Sequence, residues 1–161
     1  GLAGEIGHIP YAASGQVAQK CHCGNDHCLG LFLSTRGILN EIRKLPGHEK
    51  ADDFTEAVAK LDAERKERIF HYLLPPLVHL VIVACNIFDP EYVILWGEAI
   101  EPWIDDLEKE LEAIVKKATW QASPKKILFH KPDSYRTAYG TTLGLESRVY
   151  HAIIEKINEA Q

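Results

Sequence analysis

The order of apolar and polar positions divides the chain into a front third without sustained period and a rear two-thirds with clear periods. Residues 1–30 are rich in Gly, Ser, His and Cys and read as a loop region able to carry a site. Leu31 to Leu45 has the apolar spacing of a helix stopped by Pro46-Gly47. A short helix is expected near Asp53 to Leu61. The charged run Asp62 to Arg68 then feeds an apolar stretch ending at Phe88, which predicts one helix with a solvated start and a buried end, kinked or interrupted at Pro75-Pro76. After the breaker pair Asp89-Pro90, Tyr92-Val-Ile-Leu-Trp96 is a continuous β-favouring run, as in a central strand buried on both faces. Trp103, Ile104, Leu107, Leu111, Ile114 and Val115 recur at helical spacing. Lys126 to Phe129 predicts a second strand, and Leu143, Val149, Tyr150, Ile153, Ile154 and Ile157 a closing amphipathic helix. Strand, helix, strand, helix implies a βαβ crossover and an α/β fold.

A chain of 161 residues suits one domain, taken here as residues 1–161. Its formal charge of −5, from 18 Lys+Arg against 23 Asp+Glu, gives no basic patch for direct nucleic-acid contact by this segment. Leu73 to Phe88 is shorter than the roughly 20 apolar residues that span a bilayer, and it contains Pro75, Pro76, His79 and Asn86, so no membrane role is expected. The chain has no Met, and is read as the C-terminal piece of a longer polypeptide. The helical faces of residues 69–88 and 143–157 would then lack their normal partners and favour self-association, predicting a dimer.

The stretch richest in chemistry is Cys21-His-Cys23-Gly-Asn-Asp-His-Cys28. Three of the four cysteines fall within these eight residues. A chain with ample core-forming sequence has little need of a disulfide framework, so a reducing, cytoplasmic setting with thiols serving a metal is expected. Thiolates suit Zn2+, which takes four ligands in a tetrahedron. Cys-x-Cys puts two sulfurs on one side of a tight loop, and Gly24 permits the turn that brings Cys28 to close from the other side. His8, freed by Gly7 and the small-residue loop after it, is the preferred fourth ligand; His22 and His27 remain alternatives, as does a set of free or disulfide-paired cysteines. Cys85, inside an apolar helix, is expected in the core. Asn25-Asp26 reads as a turn rather than a catalytic pair.

Gly4-Glu5-Ile6-Gly7-His8 followed by Cys21-x-Cys23-Gly24-x-x-x-Cys28 resembles the signature of the ROK family, bacterial sugar kinases and sugar-responsive repressors. The likeness extends through Asp89 to Gly97 and to Gly140–Leu145. The resemblance implies the C-terminal half of an actin-like ATPase, of ribonuclease-H-like type, with one structural zinc on His8, Cys21, Cys23 and Cys28 in a loop spanning residues 8–28. It also implies that Glu5 and His8 bind the hydroxyls of a sugar or sugar-phosphate effector, and that the chain forms homodimers. Glu5 as a solvated or capping acid is the plainer alternative. Departures from the pattern stand at His27, where the family has Gly, and at Gly30, where it has a sugar-binding Glu. The loop between His8 and Cys21 also looks longer than usual. Loss of that acceptor predicts a weakened hexose site or a different ligand. Trp96-Gly97-Glu98, in place of the kinases' Gly-Gly-Gly, is similar to the repressor branch. No phosphate loop or catalytic base is found, so this chain alone is expected to be non-catalytic. The expected role is a zinc-containing sugar-sensing and dimerisation segment of a regulator. The alternatives are the matching half of an ATP-dependent sugar kinase, or a zinc-stabilised interaction domain without sugar function.

Overall fold

In the computed structural model the described residues are 4–11, 20–25, 27–118 and 126–130. The expected closing helix at 143–157 and the small-residue segment Gly140–Leu145 lie outside them, as does Asp26. A 3-10 turn at Ile6–His8 opens the described chain. Five helices follow: α1 (Gly30–Leu33), α2 (Thr35–Ile42), α3 (Phe54–Ala59), α4 (Ala63–Phe88) and, after strand β1 (Tyr92–Trp96), α5 (Ile104–Ala118). Strand β2 (Lys126–His130) then pairs in parallel with β1, Tyr92 opposite Lys126 and Trp96 opposite His130. The parallel pairing with α5 between the strands is the crossover expected from the alternation of periods.

The starts of α2, α3 and α4 each carry a side-chain cap. Asp53 and Asp62 accept hydrogen bonds from the Glu56 and Arg65 N–H groups at 2.7 and 2.8 Å, satisfying orphan donors at the starts of α3 and α4. The single helix expected over Leu31 to Leu45 is instead two. Ser34 adopts extended backbone (φ −82, ψ 154), and its hydroxyl accepts from the Gly37 N–H, so it caps α2 and ends α1. A Cβ at Gly37 would lie 1.8 Å from the Leu31 carbonyl oxygen, so the elbow between α1 and α2 closes only around a glycine.

The core is one cluster. Ile38, Ile42 and Leu45 from α2 and its exit meet Ile69, Leu73, Leu77 and Val81 of α4, Trp103 and Leu107, Leu111 and Val115 of α5, and Ile127 of β2. The Trp103 indole N–H also donates to the Lys66 carbonyl at 3.1 Å, tying the start of α5 to α4. Cys85 is buried in this core, as expected.

Two expectations are corrected here. Of the kink or interruption expected at Pro75-Pro76, the interruption is absent, since α4 is one helix from Ala63 to Phe88. A proline inside a helix costs about 3 kcal/mol. The flanking Ile69, Phe70, Leu73, Leu74, Leu77 and Val81 are all buried. At about 1.5–3 kcal/mol each, their burial outweighs both prolines. Strand β1 is not buried on both faces among the described residues. Val93 and Leu95 pack on the core. Tyr92, Ile94 and Trp96 are 48, 64 and 63% exposed. Helix α4 is also long and apolar enough, at mean hydropathy 1.6, to cross a membrane by composition, yet it packs against α1, α2 and α5.

Gly37→Ala tests the elbow. Replacing it forces the Leu31 carbonyl and α2 apart, so a loss of at least 2–3 kcal/mol in denaturant unfolding is expected, on the scale of overpacked cores. An unchanged midpoint would contradict the geometry.

Candidate metal centre and adjoining pocket

The front third folds back on itself through backbone pairing. Pro10 and Cys28 form an isolated antiparallel bridge. The Leu29 N–H donates to the Ile9 carbonyl at 2.9 Å, and the Tyr11 N–H to that of His27 at 2.5 Å. This brings the turn carrying His8 beside the start of α1. The Tyr11 ring lies edge-on to Phe32 of α1 at 5.2 Å, and Phe32 in turn faces Tyr72 of α4 at 6.3 Å, which anchors the loop to the core. The thiol loop is a tight knuckle: the Gly24 N–H donates to the Cys21 carbonyl at 3.0 Å and the Cys21 N–H to that of Asn25 at 3.1 Å. Gly24, at φ +88, supplies the left-handed residue this turn requires.

The result brings His8, Cys21, Cys23 and Cys28 together, with one donor atom from each lying within 4.8 Å of all the others. The His8 Nδ1 is 3.5 Å from Cys21 Sγ, and Cys23 Sγ is 3.5 Å from Cys28 Sγ. A tetrahedral zinc with Zn–S near 2.3 Å and Zn–N near 2.0–2.1 Å has S···S and N···S edges of about 3.8 and about 3.6 Å. The donor set and spacing therefore fit zinc. Of the alternative imidazoles, His22 has its Nδ1 3.8 Å from Cys21 Sγ but is exposed, and neither it nor His27 belongs to the four-donor group. Neither the three cysteines here nor Cys85 is in a disulfide.

The thiols are electrostatically unequal. A hydrogen bond from the Asn25 backbone holds Cys23 down to about 7, helped by its neighbouring thiols and His8. Burial, with hydrogen bonds to and charge on the other two sulfurs, pushes Cys28 up to about 12. Cys28 is thus protonated at neutral pH unless a cation replaces the proton.

On the other side of His8 lies a cavity of about 700 Å3 lined by Glu5, His8, Lys20, His22, Ser34 and Arg36 among others. The His8 Nε2 is 3.6 Å from the Glu5 carboxylate, so the imidazole turns one nitrogen to the thiols and the other to the pocket. Gly30 also lines the pocket, and a Cβ there would meet the Gly7 carbonyl oxygen at 3.3 Å. Lys20, Ser34, Arg36 and Asn40 had no signal in the sequence. Arg36 and Asn40 stand on α2, beyond the α1–α2 elbow that the sequence did not announce.

His27 shows why its position matters. Its φ of +61 is the left-handed region that glycine adopts freely, and its Nδ1 is buried with no hydrogen-bond partner among the described residues.

The fold is that of a mixed helix-and-strand segment whose Cys3His cradle adjoins a polar pocket. The chain matches the ROK family over residues 1–142, and it belongs to that family. It is 31% identical over 111 residues to the DNA-binding transcriptional dual regulator NagC of Escherichia coli (strain K12), covering 63% of this chain and 26% of that protein. To the xylose repressor of Caldicellulosiruptor bescii it is 30% identical over 112 residues, covering 62% and 27%. A crystal structure of a ROK family transcriptional regulator, a homologue of the E. coli MLC protein, superposes with TM-score 0.59 at 21% identity, covering 77% of this chain and 33% of the other. Membership of that family, together with this likeness in fold, implies an actin-like, ribonuclease-H-like fold. The chain spans about a quarter to a third of these relatives' lengths.

Two predictions follow from the loop. His27→Gly relieves the left-handed strain and removes an unpartnered buried nitrogen, so the metal-loaded protein is expected to gain about 1 kcal/mol in chemical unfolding. A loss of stability would show that His27 earns its place by packing. Zinc affinity should rise with pH. Because Cys28 begins protonated and must ionise, log Kd should fall by at least about one per pH unit between roughly pH 6 and 8, and more steeply below about 7, where Cys23 also carries its proton. Competition titration with a chromophoric chelator measures this, and a flat profile would contradict thiolate ligation by Cys28.

Proposed function

We propose that this chain is the zinc-containing, sugar-sensing and dimerisation segment of a ROK-type transcriptional regulator that works in the cytoplasm. The observation that carries the reading is the double duty of His8. Its Nδ1 faces Cys21 at 3.5 Å and its Nε2 faces Glu5 at 3.6 Å on the wall of a cavity of about 700 Å3. Zinc, when bound by His8, Cys21, Cys23 and Cys28, would supply a rigid structural crosslink and fix the imidazole tautomer, as outer partners of a metal ligand do. His8 then presents Nε2–H to a sugar hydroxyl as a donor, and Glu5 accepts from a neighbouring hydroxyl. The pocket's volume accommodates a monosaccharide with room to spare.

The regulator reading is supported by the printed roles of the relatives, a transcriptional dual regulator and a xylose repressor. It is also supported by the exposed Trp96 and Glu98, which stand where the family resemblance implies the kinases' Gly-Gly-Gly element. The chain itself does no chemistry in this reading, and DNA contact belongs to another part of the polypeptide. Dimerisation is supported by the exposed apolar side chains Ile87, Phe88, Tyr92, Ile94, Trp96 and Leu128, of a kind that favours association.

Calorimetry of the zinc-loaded protein with a panel of monosaccharides and their phosphates, with light scattering on the same sample, tests the reading. At least one sugar is expected to bind to a dimer. Glu5→Gln should weaken it by roughly tenfold to a hundredfold, the worth of a charged hydrogen-bond acceptor, while retaining zinc. A panel with no binder, or binding indifferent to Glu5, would overturn the sugar-sensing role.

A further inference from the structure

The three sulfurs of the cradle meet solvent unequally. Cys28 is 1% exposed and Cys21 is half-buried, whereas Cys23 is exposed. The pairing is uneven as well. Cys23 Sγ lies 3.5 Å from Cys28 Sγ, already in contact, while Cys21 turns its sulfur toward two imidazoles, 3.5 Å from His8 Nδ1 and 3.8 Å from His22 Nδ1. Left-handed backbone at Gly24 (φ +88) and at His27 (φ +61) reverses the chain next to each member of the pair, which keeps positions 23 and 28 facing one another. Cys85, the chain's remaining cysteine, is 4% exposed inside α4 and too enclosed to meet an oxidant. A thiol open to solvent with a second one in contact behind it is the arrangement in which an oxidised cysteine is captured as a disulfide before it is carried further to an irreversible acid.

We propose that Cys23 is a site of reversible oxidation by hydrogen peroxide, with Cys28 as its resolving partner, so that formation of one disulfide empties the metal centre. This rests on zinc ligation by the four donors and is independent of any sugar. The Cys23 thiolate attacks one peroxide oxygen: the S–O bond forms as the O–O bond breaks, and the departing hydroxide takes a proton to become water. The Cys28 thiolate then attacks the sulfenic sulfur, forming the S–S bond and breaking the S–O bond, and the second hydroxide is likewise protonated to water. Two thiolates have given up one electron each, and one peroxide has been reduced to two waters. His8 and Cys21 remain as donors, half of what a tetrahedral structural site requires and too few to hold the ion. Attack by a low-molecular-weight thiol on the disulfide regenerates both thiolates through a mixed disulfide, so the centre can be refilled. The imidazole freed in the oxidised state is the one that borders the cavity, so the modification reaches the pocket wall through His8.

The test treats the zinc-loaded chain, freed of reductant, with hydrogen peroxide while a chromophoric chelator reports released zinc. The cysteines are then alkylated with one label in denaturant, reduced, alkylated with a second label and mapped by tandem mass spectrometry. Zinc release and disulfide formation are expected to rise together, one of each per chain. Cys21 and Cys85 should carry the first label, and Cys23 and Cys28 the second. Reduction followed by added zinc should restore the metal content. Cys23→His keeps four zinc donors but removes the attacking thiol, so its metal should be released at least about tenfold more slowly. Zinc retained under excess peroxide overturns the proposal and leaves the metal site intact. So does a disulfide made through Cys21 or between chains, a sulfinic acid that reduction does not reverse, or a Cys23→His protein that loses zinc as fast as the parent. A parent chain with no stoichiometric zinc before oxidation sinks the metal reading and this proposal with it.

Discussion

The convergence of one imidazole and three sulfurs on a sphere a few ångströms across is the constraint from which the front of the molecule takes its shape. Residues 4–11, 20–25 and 27–29 contribute little to the main core, and a loop of this kind gains too little from burial to order itself. What holds it is the Pro10–Cys28 bridge, the Tyr11–Phe32–Tyr72 ring contacts and the donor cluster itself. The buried Cys28, pushed up to about 12, sits where a divalent cation stabilises most, because a thiolate with no countercharge is disfavoured there. Zinc with three thiolates carries a formal charge of −1. The cluster therefore also sets the electrostatic floor on which His8 stands.

From that floor the geometry runs outward in two directions. Cys28 leads within two residues into α1, and the elbow at Ser34 and Gly37 turns α2 so that Arg36 and Asn40 share a cavity with Glu5 and His8. Helix α2 is in turn seated on α4 through Ile38 and Ile42. A ligand that moves His8 thus pushes on the metal loop, and one that moves Arg36 pushes on α2 and the core. In the proposed sensing role this coupling would be a physical route from pocket to scaffold, carried by short-range packing and not by charge at a distance.

Much of this was legible in the sequence because its causes are local. The Cys-x-Cys knuckle with its glycine, the acidic caps at Asp53 and Asp62, and the long period of α4 and α5 are properties of a few neighbouring residues. His8 was already the preferred fourth donor from the small-residue loop beside it, and the motif strengthened that choice, although its approach to the thiols depends on a chain reversal that no spacing announces. The elbow at Ser34 was hidden because Phe32, Ile38, Leu39, Ile42 and Leu45 continue a helical period straight across it. The exposure of Ile94 and Trp96 was hidden as well, since an all-apolar strand does not say which face is covered. Pro75-Pro76 read as a break because proline's local cost is easily seen, whereas the burial of the six side chains around it is tertiary.

The coordination shell itself is the most direct place to look. X-ray absorption at the zinc edge of the purified chain should show three sulfurs near about 2.3 Å and one nitrogen near about 2.0 Å, with the nitrogen scattering lost in His8→Ala. A shell with two nitrogens, one of only oxygens, or a spectrum unchanged by loss of His8 would contradict the arrangement of His8, Cys21, Cys23 and Cys28 on which the pocket is built.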